Sequence, residues 1–167
     1  MEQLGFSSVE EAFEPVFFYA GDNEFHCFSN FYRCNIMIDG KKWATTEHYF
    51  QAMKAASEPD QEVIRLAASP GLAKGLAQKL VIDREAWDKI KFDVMLKCLR
   101  IKFDQPGLKT ILLKTETRPI YEDSPSDKIW GTGTLKGTGP GRNLLGLALM
   151  QVRQEIKDGQ IREEAGK

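Results

Sequence analysis

The sequence predicts an α+β domain, mainly helical, with a few short strands. Three observations predict it. Helix caps and stop signals frame helical segments across most of residues 45–157. Short β-branched or aromatic runs occur at 15–20, 34–44 and 118–123. No repeat or long linker divides the 167 residues, a length that suits one domain with a sizeable core. The expected boundaries are a polar N-terminal tail at 1–14, a compact domain at 15–158 and a polar C-terminal tail at 159–167.

Taken in order, "PVFFYA" at 15–20 reads as a strand. "GDNEFHCFSNFY" at 21–32 reads as a loop in which polar residues alternate with Phe25, Phe28, Phe31 and Tyr32. Those rings are either packing anchors or a stacking platform for a flat ligand. Asp39-Gly40 between two short apolar-rich runs is a hairpin signal. Thr45 or Thr46 caps a helix from Glu47 to about Ser57, another helix starts near Pro59, and Ser69-Pro70 opens a third. Asp83 caps the longest helix, with Trp87, Ile90, Val94, Cys98 and Ile101 as its expected buried stripe. Pro106 begins a short helix and "RPIYED" at 118–123 is a strand. The last helix is expected from Arg142 to Lys157, burying Leu145, Leu149, Val152 and Ile156, with Gly159 as its stop.

Composition excludes several classes. Hydrophobic residues make up 42% and charged residues 28%, and 23 Lys and Arg balance 24 Asp and Glu, so no basic stripe advertises wholesale phosphate binding. A nucleic acid gripped locally stays compatible with that balance. Cys27, Cys34 and Cys98 lack a CxxC spacing and have only His26 and His48 beside them, which supports no zinc site; the thiols read as reduced. No metal and no cofactor are expected. The acidic start "MEQLGFSSVEEAFEP" has no basic n-region, and no apolar run approaches the roughly 20 residues of a membrane span. The expected location is cytoplasmic or nuclear, with no membrane contact and no obligate protein partner.

Three polar clusters carry the chemistry. In "WATTEHYFQAMKA" at 43–55, Glu47, Gln51 and Lys54 fall on one helical face. A solvated polar face would look the same, but a carboxylate and an amine side by side tune each other for acid, base or nucleophile work. In "EDSPSDKIWGTG" at 122–133, Asp127 is either an N-cap or a catalytic carboxylate held against Trp130. "GTGTLKGTGPGRNLLG" at 131–146 holds neither a P-loop nor a GxGxxG fingerprint in register. Its glycines, Lys136, Arg142 and the following helix start are either a flexible connection or a phosphate site made of free amides and a guanidinium.

The motifs "FSNFY" (28–32), "TTEHYFQAMK" (45–54), "SPGLAKGLA" (69–77), Trp87 in "REAWDKIKFDVM", "SDKIWGTG" (126–133) and "GRNLLGLALM" (141–150) come in one order and spacing. In these the chain resembles the NADAR, or YbiA-like, family from about Val16 to Ile156. The resemblance implies a single NADAR-type domain with N-glycosidase chemistry on ribosyl C1–N bonds. The implied substrates are ADP-ribose attached to guanine in nucleic acid or, alternatively, early riboflavin-pathway intermediates. A non-catalytic ADP-ribose-binding module is the rival from another class. By position in these motifs Glu47, Lys54, Trp87 and Asp127 are the implied catalytic residues. Phe28, Ser29, Asn30, Phe31, His48, Gln51, Trp130, Gly131, Arg142 and Asn143 are the expected substrate contacts. In such chemistry a carboxylate answers the positive charge at C1, a second group serves the leaving nitrogen, and Lys54 could form a Schiff base with an opened sugar.

Overall fold

The computed structural model describes residues 14–19, 21, 23–135 and 139–165. Most of the expected N-terminal tail, and Lys136, lie outside these residues. The described elements are β1 (Val16–Phe18), β2 (Ile36–Ile38), β3 (Lys41–Trp43), α1 (Thr46–Ala52), α2 (Glu58–Arg65), α3 (Pro70–Ala77), α4 (Arg84–Lys102), α5 (Pro106–Leu113), β4 (Ile120–Glu122) and α6 (Leu144–Ala165). The expected class, α+β and mainly helical with short strands, is the one observed. The chain forms two compact units, Cys27–Leu108 and the described residues of 1–26 with 109–167.

In the unit Cys27–Leu108, β2 and β3 pair antiparallel with Ile38 opposite Lys41, leaving Asp39-Gly40 as a two-residue turn. Both turn residues have positive φ, 51° and 76°, as a type I′ hairpin demands. Thr45, in extended backbone, caps α1 by accepting the His48 N–H, and α1 packs against α2, α3 and α4. Every residue of this seven-residue helix is buried, polar ones included. It ends at Ala52, short of the expected Ser57, because Ser57 is extended and caps α2 through its hydroxyl. Ser69 and Asp83 cap α3 and α4 as their sequences imply.

The buried stripe of α4 is not the expected one. Met95, Leu96, Cys98, Leu99 and Lys102 are buried, whereas Ile90 is exposed and Trp87, Val94 and Ile101 are partly so. Only the C-terminal half of the helix faces the core, so the apolar residues of its first turns do not define the seam.

In the other unit β1 and β4 pair parallel, Val16 opposite Ile120, and α6 packs on β4. Leu145, Ala148, Leu149 and Val152 are buried from α6, with Ile156 partly so. This helix starts at Leu144, not Arg142, because Asn143 adopts a left-handed φ of 52°. It also continues past Gly159 to Ala165, so the segment expected as a C-terminal tail is helical for most of its length. A glycine stops a helix by turning left-handed, and Gly159 is not among the residues with positive φ.

Candidate active site

The first polar cluster is built on α1. The Glu47 side chain is buried, and its Oε1 accepts a 2.6 Å hydrogen bond from the Gln51 amide one turn later. The helix start is tied to the preceding loop: Asn30 C=O accepts the Glu47 N–H at 3.0 Å, and Asn30 Oδ1 accepts the Thr46 hydroxyl at 2.8 Å. Lys54 stands in the turn that closes α1, its N–H donating to Gln51 C=O at 3.2 Å. Its ammonium lies 5.5 Å from the centre of the Phe50 ring and 5.8 Å from that of Trp87. Phe50 and Trp87 meet edge to face, 5.1 Å between centroids.

Burial pushes the Lys54 pKa below the ordinary lysine value; Glu47 pulls it back up, and Lys74, Arg84 and Lys91 press it further down. A carboxylate and a half-buried amine with an eased proton therefore share one short segment. That answers the polar-face alternative: Glu47, His48 and Gln51 are 6%, 1% and 4% exposed, which no solvated face would be.

Not every expected contact faces a ligand. His48 Nε2 donates to Ala67 C=O at 3.0 Å, since a carbonyl only accepts, and Nδ1 lies 2.8 Å from the Thr45 hydroxyl. Both ring nitrogens thus join α1 to its surroundings. Phe28 is fully buried and stands edge-on to Phe103 at 5.7 Å, a packing anchor. Ser29 is held at both ends, its hydroxyl accepting the Phe31 N–H and its C=O accepting the Lys102 ammonium at 2.9 Å. Phe31 is the ring that stays outside, 48% exposed directly after Asn30.

The sequence reading missed Lys102. It is fully buried, 5.5 Å from the Tyr32 ring centre and 5.4 Å from that of Phe103, and burial lowers its pKa to about 8. Its spacing from Met95 and Leu99 on one helical face was the available signal. Phe50, which meets both Trp87 and Lys54, was not among the expected site residues either.

In the other unit Asp127 Oδ1 accepts the N–H groups of Ile129 and Trp130 at 2.9 and 2.8 Å, so the carboxylate caps its own turn. Gly131 is buried and closely approached; a Cβ there would lie 2.8 Å from the Ser124 Cβ and 3.0 Å from the Asp127 carbonyl oxygen. The half-buried Trp130 offers its carbonyl to the Leu145 N–H. Asn143 spends its whole amide on β4, accepting from the Glu122 N–H at 3.0 Å and donating to Ile120 C=O at 2.9 Å.

Among the described residues of 131–146, the amides at the start of α6 are not free for a phosphate cradle. The N–H groups of Arg142, Asn143, Leu144 and Leu145 donate to the carbonyls of Lys128, Gly131, Ile129 and Trp130. The loop itself satisfies the start of α6, and among those groups only the exposed Arg142 side chain is left to meet an anion. Among the described residues no group of three or more His, Cys, Asp and Glu could hold a metal ion, and no helix is long and apolar enough to cross a membrane.

A small α+β chain with a buried carboxylate, an amide and a desolvated amine on one segment has the groups of a catalytic domain. It belongs to the NADAR domain family, whose model matches residues 17–157. The chain is 39% identical over 141 residues to the N-glycosidase YbiA of Escherichia coli strain K12, covering 83% of this chain and 86% of that protein. The solved NMR structure of E. coli YbiA superposes with a TM-score of 0.77 at 35% identity, over 89% of each chain. A riboflavin biosynthesis protein of Vibrio vulnificus, VVA0006, is 36% identical over 147 residues, covering 87% of this chain but 39% of its own length.

Proposed function

We propose that this chain is an N-glycosidase that hydrolyses a ribosyl C1–N bond, and that its substrate is ADP-ribose attached to a guanine base in nucleic acid. The observation that carries the reading is the α1 segment, where buried Glu47 is fixed by Gln51 and Lys54 loses solvent against Phe50 and Trp87. The reaction builds positive charge at C1, and a fixed carboxylate stabilises it. Lys54 acts as an amine. The ring opens as its C1–O bond breaks: the ring oxygen takes a proton, and the base nitrogen's electron pair makes C1 an iminium carbon. Lys54 Nζ then adds to C1, and the C1–N bond to the base breaks as that nitrogen takes a proton. Water then hydrolyses the resulting imine to free sugar and free lysine, so one water is consumed per bond broken.

Two features support a large anionic ligand over a small one. Lys74, Arg84 and Lys91 add their positive field at Lys54. Phe31 presents an exposed ring next to Asn30, which holds the start of α1. The relative named as a riboflavin biosynthesis protein favours the second reading, hydrolysis of early riboflavin-pathway intermediates. Side-by-side kcat/KM values on an ADP-ribosylated guanine oligonucleotide and on those intermediates separate the two. The proposal expects clear preference for the oligonucleotide. Preference for the small intermediates overturns the substrate, and no turnover of either overturns the N-glycosidase reading.

A further inference from the structure

Gln51 has an end that the fold leaves over. Its Nε2 donates to Glu47 Oε1 at 2.6 Å, and turning the amide round would set two acceptors against each other while Glu47 is ionised. The orientation is therefore fixed by Glu47, and Oε1 must point the other way. That oxygen is buried and meets no donor among the described residues, on a side chain only 4% exposed. Leaving a buried acceptor unpaired is costly, so the arrangement is economical only if a ligand brings the missing donor.

The position of Gln51 narrows what that donor is. It stands between Glu47 and Lys54, one turn after the first and three residues before the second. Resting on the proposed function, both neighbours act at the sugar's C1. In the closed sugar, as it is first bound, the ring oxygen beside C1 carries no hydrogen, and the departing nitrogen must gain a proton, a need that an acceptor does not meet. The hydroxyl on the adjacent carbon is a donor at the right remove. We infer that Gln51 is a specificity-determining residue whose Oε1 accepts a hydrogen bond from the ribosyl 2-hydroxyl, so that the site distinguishes ribosyl from 2-deoxyribosyl ligands. The same contact places the sugar against Glu47, because one amide grips both.

Ribose 5-phosphate and 2-deoxyribose 5-phosphate are the probes, titrated calorimetrically into the wild-type chain, Gln51→Met and Gln51→Asn. One lost hydrogen bond to a fixed acceptor corresponds to a preference of about tenfold for the ribose compound in the wild type. In folded variants, checked by thermal melting, that ratio should fall to within about twofold while affinity for the deoxy compound stays the same. A wild type that binds the two sugars equally, or binds neither, overturns the inference, as does a preference that survives in either variant. If neither variant folds, the wild-type ratio alone decides it. Turnover of ribosyl N-glycosides is measured separately, so an inactive chain that still discriminates the sugars sinks the proposed function and spares this contact.

Discussion

Helix α1 and the loop at 122–143 look alike as sequence, since each mixes acids, amides and aromatics. The residues that the motifs single out in each spend their polar groups differently, although the loop too keeps buried acceptors without a donor among the described residues, at Asp123 Oδ1 and Thr134 Oγ1. In the loop Asp127 caps its own turn, Asn143 clamps β4, and four successive N–H groups at the start of α6 go to loop carbonyls. In α1 the backbone is satisfied by the helix and by Asn30, the Gln51 amide holds Glu47 and keeps a buried acceptor over, and Lys54 follows in the closing turn with its pKa lowered by burial. A buried acceptor without a donor is expensive to keep, which makes Gln51 Oε1 a place where a ligand can bond. A polar motif becomes a candidate site only after its hydrogen bonds have been accounted for.

Substitutions can break this contrast. The largest effect is expected at Lys54. Lys54→Met should fold normally and lose turnover by about a hundredfold or more, the usual worth of such a group. In the proposed scheme Lys54 attacks as the neutral amine. Because its pKa lies below the ordinary 10.5, kcat/KM should climb with pH and level off before that value. Borohydride added during turnover should fix the sugar onto the peptide holding Lys54. Full activity in Lys54→Met would move the chemistry off α1.

Next comes Lys102, the buried charge in the same unit. Folded, it releases its proton at about 8; unfolded, at 10.5. Between those values the unfolded chain holds more protons, so stability rises with pH, and below about 8 the whole burial penalty is present. The gap corresponds to about 3 kcal/mol. Denaturant melts from pH 7 to 10.5 should show wild type gaining roughly that much relative to Lys102→Met. Parallel pH profiles would mean the ammonium is not desolvated in the fold.

Asn143 tests the other side of the contrast. Asn143→Ala removes two hydrogen bonds to β4, at about 1 kcal/mol each, and should lower Tm by roughly 4–8 °C. Its kcat per folded molecule should be unchanged; a large drop would make it a ligand contact after all. The smallest structural effect belongs to Asp127→Asn, which keeps an oxygen for the cap and should shift stability by less than about 0.5 kcal/mol. Turnover of that variant sharpens the comparison. A tenfold or greater loss assigns the charge to catalysis, and an unchanged rate leaves Asp127 a cap.

Local chemistry was legible in the sequence, and long-range closure was not. The Asp39-Gly40 turn and the Ser69 and Asp83 caps each depend on neighbours within a few residues, which is why their types alone revealed them. Glu47, Gln51 and Lys54 were found by helical spacing, although spacing could not tell a buried face from a wet one. The seam of α4 was misread because the core it meets is assembled from distant segments, and Lys102 was missed for the same reason. The free amides expected before α6 were lost to carbonyls 12 to 15 residues upstream, a closure no periodicity reports. Asn143 concealed its left-handed backbone inside a run that reads as helix.

The central claim is that α1 is a catalytic helix, and Glu47→Gln tests it most directly. Glutamine is nearly isosteric and removes the charge meant to face C1. Turnover of a ribosyl N-glycoside would be measured beside circular dichroism and thermal melting of the same preparation. The account predicts a folded variant whose kcat is lower by about a hundredfold or more. Near-normal turnover in that folded variant would contradict it.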